Sequence, residues 1–490
     1  MSTQLQFTAS DERWFETAVT GKSRGWHSGY TQEVDDGDVA ALLATGKFRR
    51  LSVLEVPRNA DEQSRFALTA AQVQAVQARK AASRRLGNIL TRGFSGSLST
   101  QATGGNPHTT HIQMALEAHF DAVRIIIPNS VTSAISGVTA KFTAAGAAAS
   151  AGASGAIAPA DGAWKTVTWG GSSSVTLAAG ASANAPSWTV SDWIVARSFE
   201  RTDGGVQPLL LARVHVPGAN ANRPAWAQAS LTAWETEASV AGRIFRPRTQ
   251  AVDGVSTLSN FTTGGSVSEY TCVPVFVQYA SRQLGITVMF IGDSIDDGAG
   301  ASSRRGWQYL AQAEVSTVAA PVEVVSAAIG GANSAAWRSR LSAVLAAIQP
   351  DYVILPWFEV NDTNVPMTSS HIQAMAGSIG AALSDIREAG AVPILRTGIP
   401  VNATGTFAKA FGSSDSLRRD RNAELLAGFP AELVMDADSA VAGVDDGNGQ
   451  IEFAAGLTTD ALHPNDAGHA AIADGVASPL FATLIAANQL

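Results

Sequence analysis

The sequence predicts an α/β chain in three parts. A three-layer α/β/α domain around a parallel sheet spans residues 283–490. A β-sandwich or jelly roll occupies 106–282, and a mixed region with a linker occupies 1–105. Two patterns carry this division. From about residue 285, short apolar runs alternate with helix-length segments, the rhythm of βαβ units covering a parallel sheet on both faces. Between 110 and 282, runs rich in β-branched and aromatic residues are separated by Gly, Asn, Ser and Pro clusters, the texture of antiparallel β-structure. At 490 residues the chain is also longer than one compact core usually accommodates.

Taken in order, the first 105 residues offer one helical pattern, from about Leu68 to Thr91, Ala- and Arg-rich with apolar residues near helical spacing. The stretch RGFSGSLSTQATGGNPHTT that follows has loop or linker composition. Strand candidates then fall at 123–128, 137–144, 164–169, 173–179, 187–195 and 208–217, with a low-complexity Ala/Gly/Ser tract at 144–160 read as a surface loop. In the last part, strands are expected at 287–291, 322–326, 352–356, 392–396 and 432–436. Helices are expected at 306–319, 334–348, 369–389, 415–428 and about 466–487. Catalytic groups of such sheets gather at the carboxyl ends of the strands.

Composition sets limits on function. The chain is 46% apolar and 16% charged, as suits a globular protein. Its net charge of −8, with 34 Lys+Arg and no long basic run, argues against nucleic acid as a partner. Cys272 is the single cysteine, so no intrachain disulfide and no cysteine-based zinc site can form; its apolar surroundings suggest a buried thiol. No run of about 18 apolar residues appears, so no membrane span is expected. The N-terminus lacks the basic and apolar segments of a signal peptide. Cytoplasmic location is the default expectation, with secreted or periplasmic location left open.

Four segments carry the chemistry. They are Phe290-Ile291-Gly292-Asp293-Ser294-Ile295-Asp296-Asp297-Gly298, Ser326-Ala327-Ala328-Ile329-Gly330-Gly331-Ala332-Asn333, Trp357-Phe358-Glu359-Val360-Asn361-Asp362 and Asp460-Ala461-Leu462-His463-Pro464-Asn465. The first three each follow an expected strand. In this order they resemble the four blocks of the SGNH (GDSL-type) hydrolase family, over roughly 205 residues. The resemblance implies a flavodoxin-like sheet and a serine esterase that works through an acyl-serine intermediate with no cofactor and no metal.

The residues suit that chemistry. A serine hydroxyl needs a base to take its proton as it attacks. Gly292 and Gly298 permit a tight turn that lifts Ser294 to the sheet edge. His463, with an ordinary imidazole titrating near pH 6.5, can act as base and then acid. Asp460, three residues upstream, can hold the ring nitrogen that faces away from Ser294. A second D-x-x-H, Asp466 to His469, falls inside the last predicted helix, about a turn and a half beyond His463. His463 is therefore preferred. Asp293 and Asp296 are expected to bind turn amides.

For the oxyanion, where a preorganised donor can be worth ~3 kcal/mol, the resemblance implies the Ser294 amide, the Gly331 amide and the Asn361 side chain. Gly330 competes with Gly331. Where the family commonly has Gly two residues before this Asn, the chain has Glu359. If that position needs a positive φ, Glu is strained there, so either the loop differs or Glu359 points into the cleft and shapes its polarity.

Pro107-His108-Thr109-Thr110-His111 reads as solvated loop rather than metal site, and no G-x-S-x-G elbow occurs. The segment WKTVTWGGSSSVTLAAGASANAPSWTVSDWIVARS is similar to the accessory β-domain of some two-domain bacterial esterases. Its Trp164, Trp169, Trp188 and Trp193 could bind sugar rings, though most are expected in the core. The expected substrate is a small-molecule or glycan ester, with short acyl groups, acetyl on carbohydrate first, by family analogy. An acyltransferase or thioesterase would use the same groups. A non-catalytic glycan-binding protein is the remaining rival.

Overall fold

The fold is given by a computed structural model, which describes residues 88–94, 98–146, 164–182, 185–226, 245–258, 272–302, 306–362, 369–400, 414–428, 433–445 and 450–489, together with residue 44 and short strands between 2 and 50. Most of the Leu68–Thr91 helical pattern and most of the Ala/Gly/Ser tract lie outside these residues.

A parallel sheet organises the C-terminal part. Its strands run in the order Val322–Ser326, Ile286–Phe290, Tyr352–Pro356, Val392–Arg396, Leu433–Met435, all parallel. In chain order this is 2-1-3-4-5, the flavodoxin-like arrangement. The strands are apolar on both faces because helices cover both. On one face Val288, Phe290, Val324 and Ile354 meet Trp307 of helix Trp307–Val315 and Leu480 and Phe481 of the terminal helix. On the other, Met289, Val325, Val353 and Leu355 meet Leu341 and Val344 of helix Ser334–Ile348, and Met375 and Ile379 of helix Ser369–Glu388.

The predicted elements of this part fall within a residue or two of the observed ones, apart from helix 306–319, which ends earlier, at Val315. The terminal helix spans Asp466–Ile472, a π-helical turn at Ala473–Ala477, and Ser478–Gln489. Asp466–Asn488 is long and apolar enough to span a membrane by composition, but such a helix is also common in protein cores.

The β-rich part does not close off as a separate sandwich. Strand Asn88–Phe94 pairs in parallel with Val322–Ser326 and antiparallel with Phe276–Ser281, which pairs in turn with Ala122–Asn129. The parallel sheet thus continues into the β-rich region as a single ten-stranded sheet. A second, six-stranded sheet contains Ile135–Ala145, Leu209–Val216, His108–Ala115 and Phe245–Gln250. Its inward residues Ile112, Val138, Phe142 and Val214 share one apolar cluster with Val123, Val277 and Tyr279 of the first.

Two sequence expectations change here. Residues 88–91, read as the end of a helix, are strand. The expected linker supplies strands Leu98–Ala102 and His108–Ala115. Both are short runs without a strict apolar alternation, and their partners lie about 100 residues or more away along the chain.

Candidate active site

The first segment leaves strand Ile286–Phe290 in a tight turn. Asp297 N–H donates to the Asp293 carbonyl at 3.0 Å, and Ala299 N–H to the Ser294 carbonyl at 2.8 Å. Gly292 is needed for space, because a Cβ there would stand 2.1 Å from Asp296 Oδ2. Asp293 Oδ1 accepts the Ile295 amide at 2.8 Å, as expected. Asp296 also accepts a turn amide, that of Asp293, and its carboxylate is in addition held at both oxygens by Arg396, each at 2.9 Å, with both side chains buried. Burial pushes the Asp296 carboxyl up to about 6, against the pull of Arg396. Ser294 itself remains partly accessible.

His463 reaches this turn from the fourth segment. Its Nε2 lies 2.9 Å from Ser294 Oγ, and its Nδ1 lies 2.6 Å from Asp460 Oδ2. With Asp460 accepting from Nδ1–H, Nε2 is left to accept the Ser294 hydroxyl proton; the tautomer follows from the hydrogen-bond network. Asp460 Oδ1 also accepts the amides of Leu462 at 2.9 Å and His463 at 2.7 Å. Partial burial opposes ionisation of Asp460, but the His463 amide, the His463 ring and the Leu462 amide outweigh it and hold the carboxyl below its usual range. The loop is tight: Ala461 takes a left-handed φ of 66°, and Thr458 Oγ1 donates to the His463 carbonyl at 2.8 Å. Asn465 caps the helix that follows, accepting the Gly468 amide at 3.0 Å.

The second D-x-x-H has a different task. Fully buried His469 donates from Nε2 to the Ala299 carbonyl at 3.0 Å and accepts the Trp307 amide at Nδ1 at 3.2 Å. Asp466 Oδ1 accepts the Ser302 amide at 2.9 Å. Both residues fasten the Ser294 turn to the helix that follows His463. Sequence reasoning set them aside as non-catalytic and had no signal for this role.

The second and third segments meet beside the same turn. Gly331 has φ +75 and Gly330 does not, so within the pair the left-handed position is Gly331. Asn333 caps helix Ser334–Ile348 by accepting the Ala336 amide at 2.9 Å, and Asp362 Oδ2 accepts the Ser334 amide at 3.0 Å. Asn361 Nδ2 lies 3.2 Å from Asp293 Oδ2, 3.1 Å from the Ala332 carbonyl and 3.4 Å from Glu359 Oε1. It therefore touches all of the first three segments.

At Glu359 the loop takes the first of the two courses expected, a backbone that does not need a positive φ. Glu359 is not left-handed, since Gln349 and Ala461 are the non-glycine residues with positive φ among those described. Nor does its carboxyl face solvent: the residue is fully buried, and Oε2 accepts the Trp337 indole N–H at 3.1 Å. Burial, the adjoining Asp293 carboxyl, and Asp296 and Asp362 beyond it hold the Glu359 carboxyl well above the usual range.

Away from this cleft, His108 and His111 lie in strand His108–Ala115 rather than in a loop, and His111 Nδ1 accepts from Arg213 Nε at 3.1 Å. Trp164, Trp169, Trp188 and Trp193 are all partly accessible rather than fully buried. Trp164 and Trp193 carry the guanidinium groups of Arg213 and Arg124 at 5.0 and 4.7 Å, and Trp188 packs edge-on against Phe276 at 5.3 Å. Cys272 is buried.

Residues 290–471 match the GDSL-like Lipase/Acylhydrolase family. This part of the chain belongs to that family, a class of serine-esterase-type hydrolases, and is preceded by the β-rich region described above. Among solved structures, the chain is similar to a GDSL-like lipase from Bacteroides thetaiotaomicron, with 17% identity, 38% of this chain and 83% of the other covered, and a TM-score of 0.30. A psychrotrophic esterase from Pseudoalteromonas sp. shows 23% identity, 39% and 93% coverage, and a TM-score of 0.28. A catalytic mutant of an acetylxylan esterase from Geobacillus stearothermophilus shows 19% identity, 39% and 93% coverage, and a TM-score of 0.30. No curated protein matches the chain.

Proposed function

We propose that the chain is a serine esterase that hydrolyses carboxylic esters through an acyl-serine at Ser294. The single observation that carries this reading is the continuous relay from Ser294 Oγ to His463 Nε2 at 2.9 Å and from His463 Nδ1 to Asp460 Oδ2 at 2.6 Å. As Ser294 Oγ attacks the ester carbonyl carbon, His463 Nε2 takes its proton. The Asp460 carboxylate fixes the ring and balances the imidazolium. The amides of Ser294 and Gly331 and the Asn361 side chain receive the oxyanion. Asn361 has two amide hydrogens and three acceptors within 3.1–3.4 Å, so its longest contact is the one a substrate oxygen replaces.

Collapse of the tetrahedral intermediate breaks the bond to the alkoxy oxygen, and His463 returns its proton to the departing alcohol. Water, deprotonated by His463, then adds to the acyl-serine carbonyl. The second collapse releases the acid and restores the Ser294 hydroxyl.

Short acyl groups, with acetyl on a carbohydrate first, are the proposed substrates. Ser294 is partly accessible, Gly331 is exposed, and the space where a Gly331 side chain would stand is open among the described residues. Such a site suits an ester whose bulk stays in solvent better than a long chain that needs an apolar tunnel.

Hydrolysis of p-nitrophenyl acetate by wild type and Ser294→Ala tests the nucleophile. A silent wild type, or a fully active variant, would reject it. A series from acetyl to palmitoyl esters, with acetate release from acetylated glycans, tests the substrate; a maximum at long chains would reject the short-acyl assignment.

A further inference from the structure

Three carboxyl groups crowd beneath the Ser294 turn: Asp293, Asp296 and Glu359, all buried. Asp296 is paired directly with Arg396, whose charge also reaches Asp293 and Glu359. The Glu359 and Asp293 carboxyls meet at the Asn361 side chain, whose Nδ2 lies 3.4 Å from Glu359 Oε1 and 3.2 Å from Asp293 Oδ2. Two carboxylates cannot both hold a charge at such a distance in a buried site, so the pair keeps one proton between them. The surrounding contacts show where it resides. Asp293 accepts the Ile295 amide and the Asn361 side-chain N–H, as an ionised group does. Glu359 is enclosed by the Trp337 indole, the Met375 sulfur near its own amide, and the Asn361 amide and side chain. None of these supplies a compensating charge.

We propose that Glu359 is a positioning residue: a neutral carboxylic acid that donates its proton to the Asp293 carboxylate and, with it, holds the Asn361 amide in place beside Ser294. The inference rests on the esterase reading above, in which Asn361 receives the oxyanion. Each contact has a consequence. Glu359 Oε1 lies 3.4 Å from both the backbone and the side-chain nitrogen of Asn361, and Asp293 Oδ2 lies 3.2 Å from the latter. The proton shared between the two carboxyls keeps Asp293 on the Asn361 side chain and Glu359 on its backbone amide, while the longer Glu359 contact to the side chain is the one that yields to substrate.

Loss of that proton would leave two adjacent carboxylates, with Asp296 and Asp362 also near and Arg396 already engaged by Asp296. Repulsion would then part Glu359 from Asp293 and shift Asn361. On this proposal kcat falls as pH rises through the deprotonation of Glu359, a limit that does not come from the serine, histidine or Asp460.

The test compares wild type, Ser294→Ala, Glu359→Gln and Glu359→Ala on p-nitrophenyl acetate across pH, with circular dichroism checking the fold. Gln is neutral and keeps a donor for Asp293, so Glu359→Gln is expected to lose only about threefold in kcat. Glu359→Ala is expected to lose about thirtyfold in kcat, with KM changed less than twofold. The fall of kcat at high pH expected of wild type should be absent from Glu359→Gln. An alkaline limb of the same midpoint in Glu359→Gln overturns the inference even if Glu359→Ala fails to fold. Wild-type kcat in a folded Glu359→Ala also overturns it, while the Ser294 reading stands. Equal activity of wild type and Ser294→Ala would overturn the esterase reading and this inference together.

Discussion

Gly300 lies so close to Pro464 that a Cβ on the glycine would stand 2.2 Å from the Pro464 carbonyl oxygen and 2.9 Å from the His463 Cβ. The backbone after Ser294 is thus packed directly against the backbone that carries His463. The contact is reinforced on both sides, by Asp466 on the Ser302 amide and by His469 on the Ala299 carbonyl. The distance between Ser294 and His463 is set by main-chain contact rather than by the two side chains alone. Gly300 also has φ +89, where an L side chain is strained.

Gly300→Ala is therefore expected to push the His463 loop outward and to lower kcat about 100-fold, the scale of a misplacement near 1 Å. Ester hydrolysis measured alongside a circular-dichroism spectrum checks this. A folded variant with wild-type kcat would show that the contact does not set the relay.

Asp460 is half-exposed and receives three donors, two amides and the His463 ring. Removing its charge should cost rate rather than binding. Asp460→Asn is expected to lower kcat about 100-fold with KM within about twofold, less than a fully buried carboxylate would cost because water screens this one. A proportional rise in KM without loss of kcat would instead place Asp460 in substrate binding.

The α/β half was legible because its apolar strands and helical segments repeat on strict periods, and because three of the four segments follow strands where that sheet gathers chemistry. The β-rich half was legible only in part. Asn88–Phe94 reads as the tail of an Ala/Arg-rich helix as far as Thr91 and as linker beyond it, and what makes it a strand is a partner far along the chain, with Arg92 facing Glu323 across 231 residues. The same holds at the cleft. Ser294, His463 and Asp460 are visible as motif letters and come together in the structure. Arg396, which holds Asp296 from 100 residues away, and His469, which holds Ala299 from 170, belong to no local pattern. Glu359 was visible as a departure from the family's glycine, but its burial was not, because that depends on Trp337 and Met375 of two helices.

The continuous sheet also predicts how the chain tolerates cutting. A fragment of residues 283–490 would expose the edge of Val322–Ser326 that Asn88–Phe94 now covers. It would also leave buried Glu323 without Arg92. An unpaired apolar edge strand invites aggregation. The fragment is expected to be largely insoluble on expression, whereas a fragment beginning at residue 88 should be soluble. A soluble, monomeric 283–490 fragment with a cooperative melt would show that the two halves fold independently.

Glu323 makes the join between the halves sensitive to pH. It is fully buried, lies 3.4 Å from Arg92, accepts the Glu117 amide at 2.9 Å and receives the Tyr279 hydroxyl. Burial pushes its carboxyl up to about 7, with Arg92 opposing and Glu117 adding to the rise. In the unfolded chain the group titrates near 4.5. Between these values the folded chain holds a proton that the unfolded chain has released, so stability falls as pH rises through that window. Asp296, pushed up to about 6, acts in the same direction over the lower part of it. Thermal melts should therefore show a higher Tm at pH 5 than at pH 7.5, and Glu323→Gln, neutral at both, should reduce that difference. A Tm that rises across the interval, or a Gln variant with an unchanged difference, would show that Glu323 stays ionised against Arg92 in the folded protein.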